Sequence, residues 1–396
     1  MATEWRDTTL GELIQAGEAH LQTGPFGTQL QASEYVDEGV PLIAVREIKE
    51  GYIELGKETV RLSQSTLDRL PRFILQTGDI VFARKGGTDR NAIIREDQNG
   101  WFLGSDGIRL RLSEKYDRRF FSYVVRNPAT RAWLRQNSEG TTMPSVNQEI
   151  LGRIPVRIPD FETQRTIASI LGALDDKIEL NRRMNATLEA MAQALFKEWF
   201  VDGAKEEWEE VSIYEFAKVI YGAPFASKLF NVTGEGTGLI RIRDLRTHEL
   251  ETFTTEVHPK GTLISPGDIV VGMDGEFRVH HWHGLPAWLN QRVCTFQPLQ
   301  PYLRSFLGLS LVAPMEFYER STVGTTVIHL GKSDIDEIKI PKPPEGRLKA
   351  FADIVEPMLE RRLANAAESR TLASLRDTLL PKLMRGEVRV KEKNMV

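Results

Sequence analysis

The residues best equipped for chemistry in this chain are a histidine cluster, His280-His281-Trp282-His283, and an acid and base group at Asp268, Glu276 and Arg278. On a strand, where side chains alternate between faces, His281 and His283 would share one face and could hold a metal ion. No Asp, Glu or Cys at a suitable spacing completes that site, so a solvated or nucleic-acid-facing strand is expected instead. Asp268, Glu276 and Arg278 are the residue types of a nuclease trio, yet the first half of the chain offers Asp79 with no matching Glu. Gly331-Lys332-Ser333 looks like the end of a phosphate loop, but Thr326 stands where that loop requires glycine. Asn127-Pro128-Ala129-Thr130 lacks the second proline and the aromatic with which a methyltransferase loop clamps a flipped base. Cys294 is the only cysteine; it can form neither an internal disulfide nor a thiolate zinc site alone, and reads as a small buried hydrophobe. Catalysis and a metal site are therefore not expected of this chain.

Binding has better candidates. Between residues 109 and 135 stand eight basic side chains, Arg109, Arg111, Lys115, Arg118, Arg119, Arg126, Arg131 and Arg135, against two acids, Glu114 and Asp117. Such a run is expected to hold phosphates, the alternative being a solvated helix face. Base reading needs paired donors and acceptors on loops or strands that reach a groove edge. In the first half the candidates are Arg84, Lys85, Arg90 and Asn91 in a glycine-flanked loop, where Arg can pair with guanine and Asn with adenine. In the second half they are Arg278 and His280, with Arg241 and Arg243 on the strand before. The whole chain of 396 residues has 51 Lys and Arg against 55 Asp and Glu, a net charge of −4, so any nucleic-acid contact must come from local patches. No stretch approaches 18 uncharged apolar residues, and acids stand where a signal peptide needs a basic and then an apolar run. A cytoplasmic protein with no membrane span is expected.

The elements that position these residues are written twice. Trp5 with Leu10 is matched by Trp208 with Ile213, Gly24-Pro25-Phe26-Gly27 by Ala223-Pro224-Phe225-Ala226, and Gly78-Asp79-Ile80-Val81 by Gly267-Asp268-Ile269-Val270. Gly140-Thr141-Thr142 then matches Gly324-Thr325-Thr326 at an offset of 184, which also carries Ile154 to Ile338, Asn181 to Asn365 and Leu195 to Leu379. Earlier offsets drift, which marks the first part of each repeat as the variable one. Each half opens strand-rich and closes in a helical pattern, at 163–200 and again at 347–384, with Pro357 and Pro381 suggesting a kink and a frayed end in the second. At heptad spacing Asn181 and Asn185 fall on the apolar seam of the first helix, where a polar residue fixes register and partner, so the two helices are expected to pair. The resulting fold class is α+β: a tandem pseudo-two-fold repeat of a strand-rich globular domain and a long helix, the helices forming an antiparallel coiled coil. A helix of this length spans roughly 57 Å, more than the about 34 Å of one turn of B-DNA, and suits a reader of two separated half-sites.

Taken in order and in duplicate, these motifs resemble the specificity (S) subunits of type I restriction-modification systems over essentially the whole chain. The carriers are Gly78-Asp79-Ile80-Val81 with Arg84-Lys85-Gly86-Gly87, the run 154–159 leading to Gln164, residues 174–181, and Leu380-Pro381-Lys382-Leu383-Met384-Arg385-Gly386-Glu387-Val388. The second copy departs at Pro343-Pro344-Glu345-Gly346-Arg347, where the glutamine matching Gln164 is missing. The resemblance implies target-recognition domains at 1–160 and 203–345, a central conserved helix at 161–202, and a C-terminal helix and tail at 346–396. It further implies a non-enzymatic chain with no cofactor of its own that binds double-stranded DNA at a split, asymmetric site. Two modification subunits, carrying S-adenosylmethionine and methylating adenine, would dock on the helices, joined by restriction subunits that use ATP and Mg.

Overall fold

In the computed structural model, residues 5–140, 143–205, 207–321 and 329–388 are described. The repeated Gly140-Thr141-Thr142 and Gly324-Thr325-Thr326 thus fall largely outside the described residues. Two compact units divide the chain, one of residues 1–176 with 373–396 and one of residues 177–372.

The duplication seen in the residues is a duplication of topology. In the first unit an antiparallel sheet runs in the order Ala19–Thr23, Gly107–Leu112, Ile80–Ala83, Asn91–Ile93. In the second the matching order is Ala217–Tyr221, Val293–Pro298, Ile269–Gly272, Val279–His281. Each unit has a further sheet with one parallel pairing, Val40–Ile43 on Phe102–Leu103 and Thr237–Ile240 on Ala287–Leu289. Each also ties its first strand to the strand before its long helix: Arg6–Thr9 pairs with Pro155–Ile158, and Glu210–Ser212 with Lys339–Pro341.

The continuous apolar runs after Gly-Asp follow from burial on both faces. Ile80 and Phe82 enter one core while Val81 and Ala83 enter another, as alternation along a strand requires. Ile269 and Val271 separate from Val270 in the same way. The glycine before each run, Gly78 at φ +87° and Gly267 at φ +99°, takes a left-handed turn that side chains with a Cβ rarely adopt.

Two long helices, Phe161–Phe196 and Glu345–Met384, contribute to both units. Within the second unit they run antiparallel. Asn181, fully buried, donates to the Asn365 carbonyl, to Glu368 Oε2 and to Ser369 Oγ at 2.8–3.3 Å. One turn on, Asn185 donates to the Arg362 carbonyl at 3.2 Å and accepts from Asn365 Nδ2 at 2.8 Å. Rising numbers on one helix thus meet falling numbers on the other, and the polar seam is satisfied across it. The first helix loosens into a π-helical turn at Lys197–Asp202. There the Trp199 carbonyl accepts from Arg347 Nη2 at 2.8 Å, and the Arg347 guanidinium lies over the rings of Trp199, Phe200 and Trp208. Arg347 anchors the start of the second helix, the place where the expected glutamine is missing. In the first copy Gln164 does this work, accepting from Asp117 N and donating to the Pro159 carbonyl.

The second long helix passes through both Pro357 and Pro381, so the frayed end expected at Pro381 does not occur. Leu380, Leu383 and Met384 are buried in the first unit's core with Ile167, Ala168 and Leu171, and that burial outweighs the backbone hydrogen bond that proline removes.

One buried carboxylate helps to fasten the first unit's helical segments to its globular part. Asp175 accepts from Arg126 Nη1 at 2.7 Å, Tyr123 Oη at 2.8 Å and Arg376 Nη1 at 2.8 Å. Burial alone would raise its pKa, but the two guanidinium groups outweigh that and hold it at about 2. Asp175→Ala would leave the buried Arg126 without a carboxylate and take from Arg376 one of its two, Asp377 remaining, and is expected to cost roughly 3–5 kcal/mol in urea unfolding. Because the folded pKa lies below the unfolded one, this carboxylate's contribution is complete above about pH 4 and is lost as pH falls toward 2. The stability gap between wild type and Asp175→Asn should therefore narrow by about 2 kcal/mol over that range. A gap independent of pH would contradict the assignment.

Candidate nucleic-acid interface

The basic run at 109–135 is drawn into the fold, since all eight of its cations have internal partners. Arg109 is 4% exposed and donates to the Arg72 carbonyl at 3.0 Å. Arg111 forks onto Asp79 at 2.6 and 2.7 Å, and Lys115 pairs with Glu18 at 2.8 Å. Arg118 donates to the Thr77 carbonyl, Arg119 to Asp176 and the Gly172 carbonyl, and Arg126 to Asp175. Arg131 and Arg135 converge on Asp89 at 2.9 and 2.7 Å, and Arg131 also reaches Glu50. Against the expectation of a free basic patch, six of the eight meet acids from elsewhere in the chain, and Arg109 and Arg118 donate to main-chain carbonyls. Of the candidate contacts, Arg109, Arg111, Arg118 and Arg119 therefore serve structure.

The glycine-flanked loop of the first unit is organised differently. Asn91 is 1% exposed and donates to the Val125 carbonyl, which removes it from any groove-facing role in this conformation. Lys85 is half-exposed with Asp106 3.4 Å away. Arg84 lies over the exposed ring of Phe26, its guanidinium carbon 4.8 Å from the centroid. Arg90 Nε would be 2.0 Å from a Cβ at Gly87, so its side chain occupies space that only glycine leaves open. The loop is stitched to residues 144–146 through Gly86 N to the Pro144 carbonyl and Val146 N to the Arg84 carbonyl, both 2.9 Å. Phe26 is the residue that sequence reasoning missed: it marked the repeat, and its glycine neighbours Gly24 and Gly27 were the available sign that its ring stands on an open turn.

In the second unit Arg243 and Arg278 are about 60% exposed and sit 3.8 Å from Glu251 and 3.7 Å from Glu276. Arg241 is mostly covered and lies 3.8 Å from the buried Asp244. His280 is packed edge-on against His248, ring centroids 5.4 Å apart, and is not a solvated strand residue. His283 stacks on the same His248 ring at 3.5 Å, whereas His281 packs against Gly308. His281 and His283 are thus not brought together, and no group of three potential metal ligands exists among the described residues.

The remaining motifs resolve into ordinary structure. Asp268 accepts from Ser265 N at 2.7 Å in a turn, and Asn127 caps the helix Pro128–Asn137. Lys332 pairs with Asp336 one turn along its own short helix. Cys294 is fully buried, and burial pushes its thiol up to about 12. No helix among the described residues is long and apolar enough to cross a membrane.

Two units that share one strand order, each with basic side chains on loops around its antiparallel sheet, define a tandem recognition protein. The family described as "Type I restriction modification DNA specificity domain" matches residues 3–190 and again 205–368. The chain belongs to this family, and it is a specificity subunit of a type I restriction-modification system, the non-catalytic component of such a complex. It is similar to the type I restriction enzyme MjaIX specificity subunit of Methanocaldococcus jannaschii, 26% identical with 98% of each chain covered. It is also similar to the HindI specificity subunit of Haemophilus influenzae, 23% identical over 79% of this chain and 87% of that one. A solved S subunit from M. genitalium shares the fold, with a TM-score of 0.53 at 17% identity over 96% of each chain.

The histidines lead to a pH prediction. Burial, reinforced by neighbouring histidines and arginines, lowers His248 to about 2, His281 to about 3, and His280 and His283 to about 4. All four stay neutral in the fold well below the pH at which the unfolded chain protonates them. The second unit should therefore lose stability as pH falls below about 6.5, by up to about 1.4 kcal/mol per pH unit for each histidine. Their imidazole NMR signals should not titrate between pH 8 and pH 5; titration near 6.5 would refute this packing.

Proposed function

We propose that this chain reads a split, asymmetric site on double-stranded DNA, one half-site for each globular domain, with the target-recognition domains at 1–160 and 203–345. The observation that carries this reading is a strand order repeated in both units while the exposed loop chemistry differs between them. One frame used twice with two different tips is what a reader of two unlike half-sites requires. The helical segments 161–202 and 346–396 would dock two modification subunits, which supply S-adenosylmethionine and methylate adenine N6. Restriction subunits, with ATP and Mg, would complete the complex in the cytoplasm. Arg84, Lys85 and Arg90 in the first domain and Arg243 and Arg278 in the second are the proposed DNA contacts, with Arg241 and His280 behind them.

Co-expression with the partner methyltransferase subunit, followed by genome-wide mapping of N6-methyladenine, should yield one two-part motif with a methylated adenine in each half. A stable complex that leaves no such motif would refute the proposal. The ion pairs set a second expectation for DNA affinity as a function of salt. Arg243→Gln and Arg278→Gln should each lower the slope by about 1, since long, water-exposed pairs are readily exchanged for a phosphate. Lys115→Gln and Arg135→Gln should leave the slope unchanged, because Glu18 and Asp89 already hold those cations.

A further inference from the structure

The two units keep one frame and part company at a single equivalent place. Arg84 follows the strand Ile80–Ala83, and its carbonyl accepts from Val146 N; Met273 follows Ile269–Gly272, and its carbonyl accepts from Leu330 N at 2.8 Å. The two positions are therefore equivalent in backbone terms. The aromatic of the repeated loop also has a counterpart, Phe26 matching Phe225. In the second unit both are apolar and covered: Met273 is 7% exposed, and Phe225 is 5% exposed, 6.0 Å from the Trp288 ring. In the first unit Phe26 is 52% exposed and carries the Arg84 guanidinium on its ring.

Arg84 combines a fixed backbone with a side chain that no acid neutralises among the described residues. Its backbone is clamped on both sides, N to the Asp106 carbonyl at 2.8 Å and carbonyl from Val146 N at 2.9 Å. No carboxylate pairs with its side chain among the described residues, in contrast to six of the eight cations of residues 109–135. A guanidinium lying on an aromatic face keeps its plane fixed and its N–H fork available, which lowers the ordering cost of a two-point contact. Guanine is the base whose major-groove edge offers two acceptors, O6 and N7, at the spacing of that fork. The neighbouring Lys85 is a point charge with no such fork and lies 3.4 Å from Asp106.

We propose that Arg84 is a specificity-determining residue that reads a guanine in the first domain's half-site, and that Phe26 is its positioning residue. The inference rests on the DNA-reading function proposed above. The second domain, with Met273 in that place, reads its half-site by other side chains, which makes the site asymmetric.

The test maps N6-methyladenine for the full chain with its methyltransferase partner, comparing wild type with Arg84→Gln, Arg84→Lys, Phe26→Ala and Phe26→Tyr. Arg84→Gln, Arg84→Lys and Phe26→Ala should relax the same guanine position, in one half-site only, by about tenfold or more, while the other half-site and the spacer stay as they were. Phe26→Tyr, which restores the ring, should keep the guanine. Because both side chains are at least partly exposed and Arg84→Lys keeps the charge, methylation at the unaffected half-site reports that the variants fold. A motif unchanged by Arg84→Gln, or positions relaxed in both half-sites, overturns the assignment while leaving the DNA-reading function standing. A wild-type chain with no split motif overturns that function itself, and this assignment with it.

Discussion

Asp175 is the point on which the first unit depends. It lies on the first long helix, and its carboxylate gathers Arg126 from the globular part and Arg376 from the second long helix into one buried cluster. A charge removed from water is tolerated only if its partners satisfy it fully, so this geometry permits little slippage between helix and domain. The second unit solves the same problem with its own residues. Glu356 on the second long helix accepts from Arg304 at 2.6 Å and from the backbone N–H and hydroxyl of Ser305. In both units an ionic cluster and an apolar core together join globular part to helix.

This division separates what can vary from what cannot. Strand order, the left-handed glycine before each Gly-Asp run and the two-faced burial of the strand after it recur in both units. Loop tips carry none of those constraints. Phe26 and Arg84 have Phe225 and Met273 as counterparts while the strand order of the antiparallel sheet stays the same. Arginine occupies both roles in this chain, and the difference is whether its N–H donors are already spent within the fold. Those at 109–135 are partnered and hold the fold, whereas Arg84 rests on an aromatic ring and retains its donors.

Several features were legible in the residues alone because they depend on local periodicity or on repetition. The constant offset of 184 announced the duplication, continuous apolar runs after Gly-Asp announced buried strands, and asparagines at heptad spacing announced a seam that Asn181, Asn185 and Asn365 do share. Each of these signals is carried by neighbours in sequence or by an equal spacing between copies.

What tertiary structure alone decided has one physical cause: Coulombic and packing partners are set by distance in space. The run at 109–135 reads as a surplus of positive charge until Glu18, Glu50, Asp79, Asp89, Asp175 and Asp176 are brought beside it. His280 and His283 read as a polar strand until His248, more than thirty residues earlier, packs edge-on to the first and stacks on the second, leaving both only partly exposed. Pro381 reads as a helix end until burial of Leu383 and Met384 compensates for its missing N–H. The sequence by itself determined the repeat, the buried strands and the helical seam; the tertiary fold decided which charges remain available to a ligand, because only folding selects the partner that each charge meets.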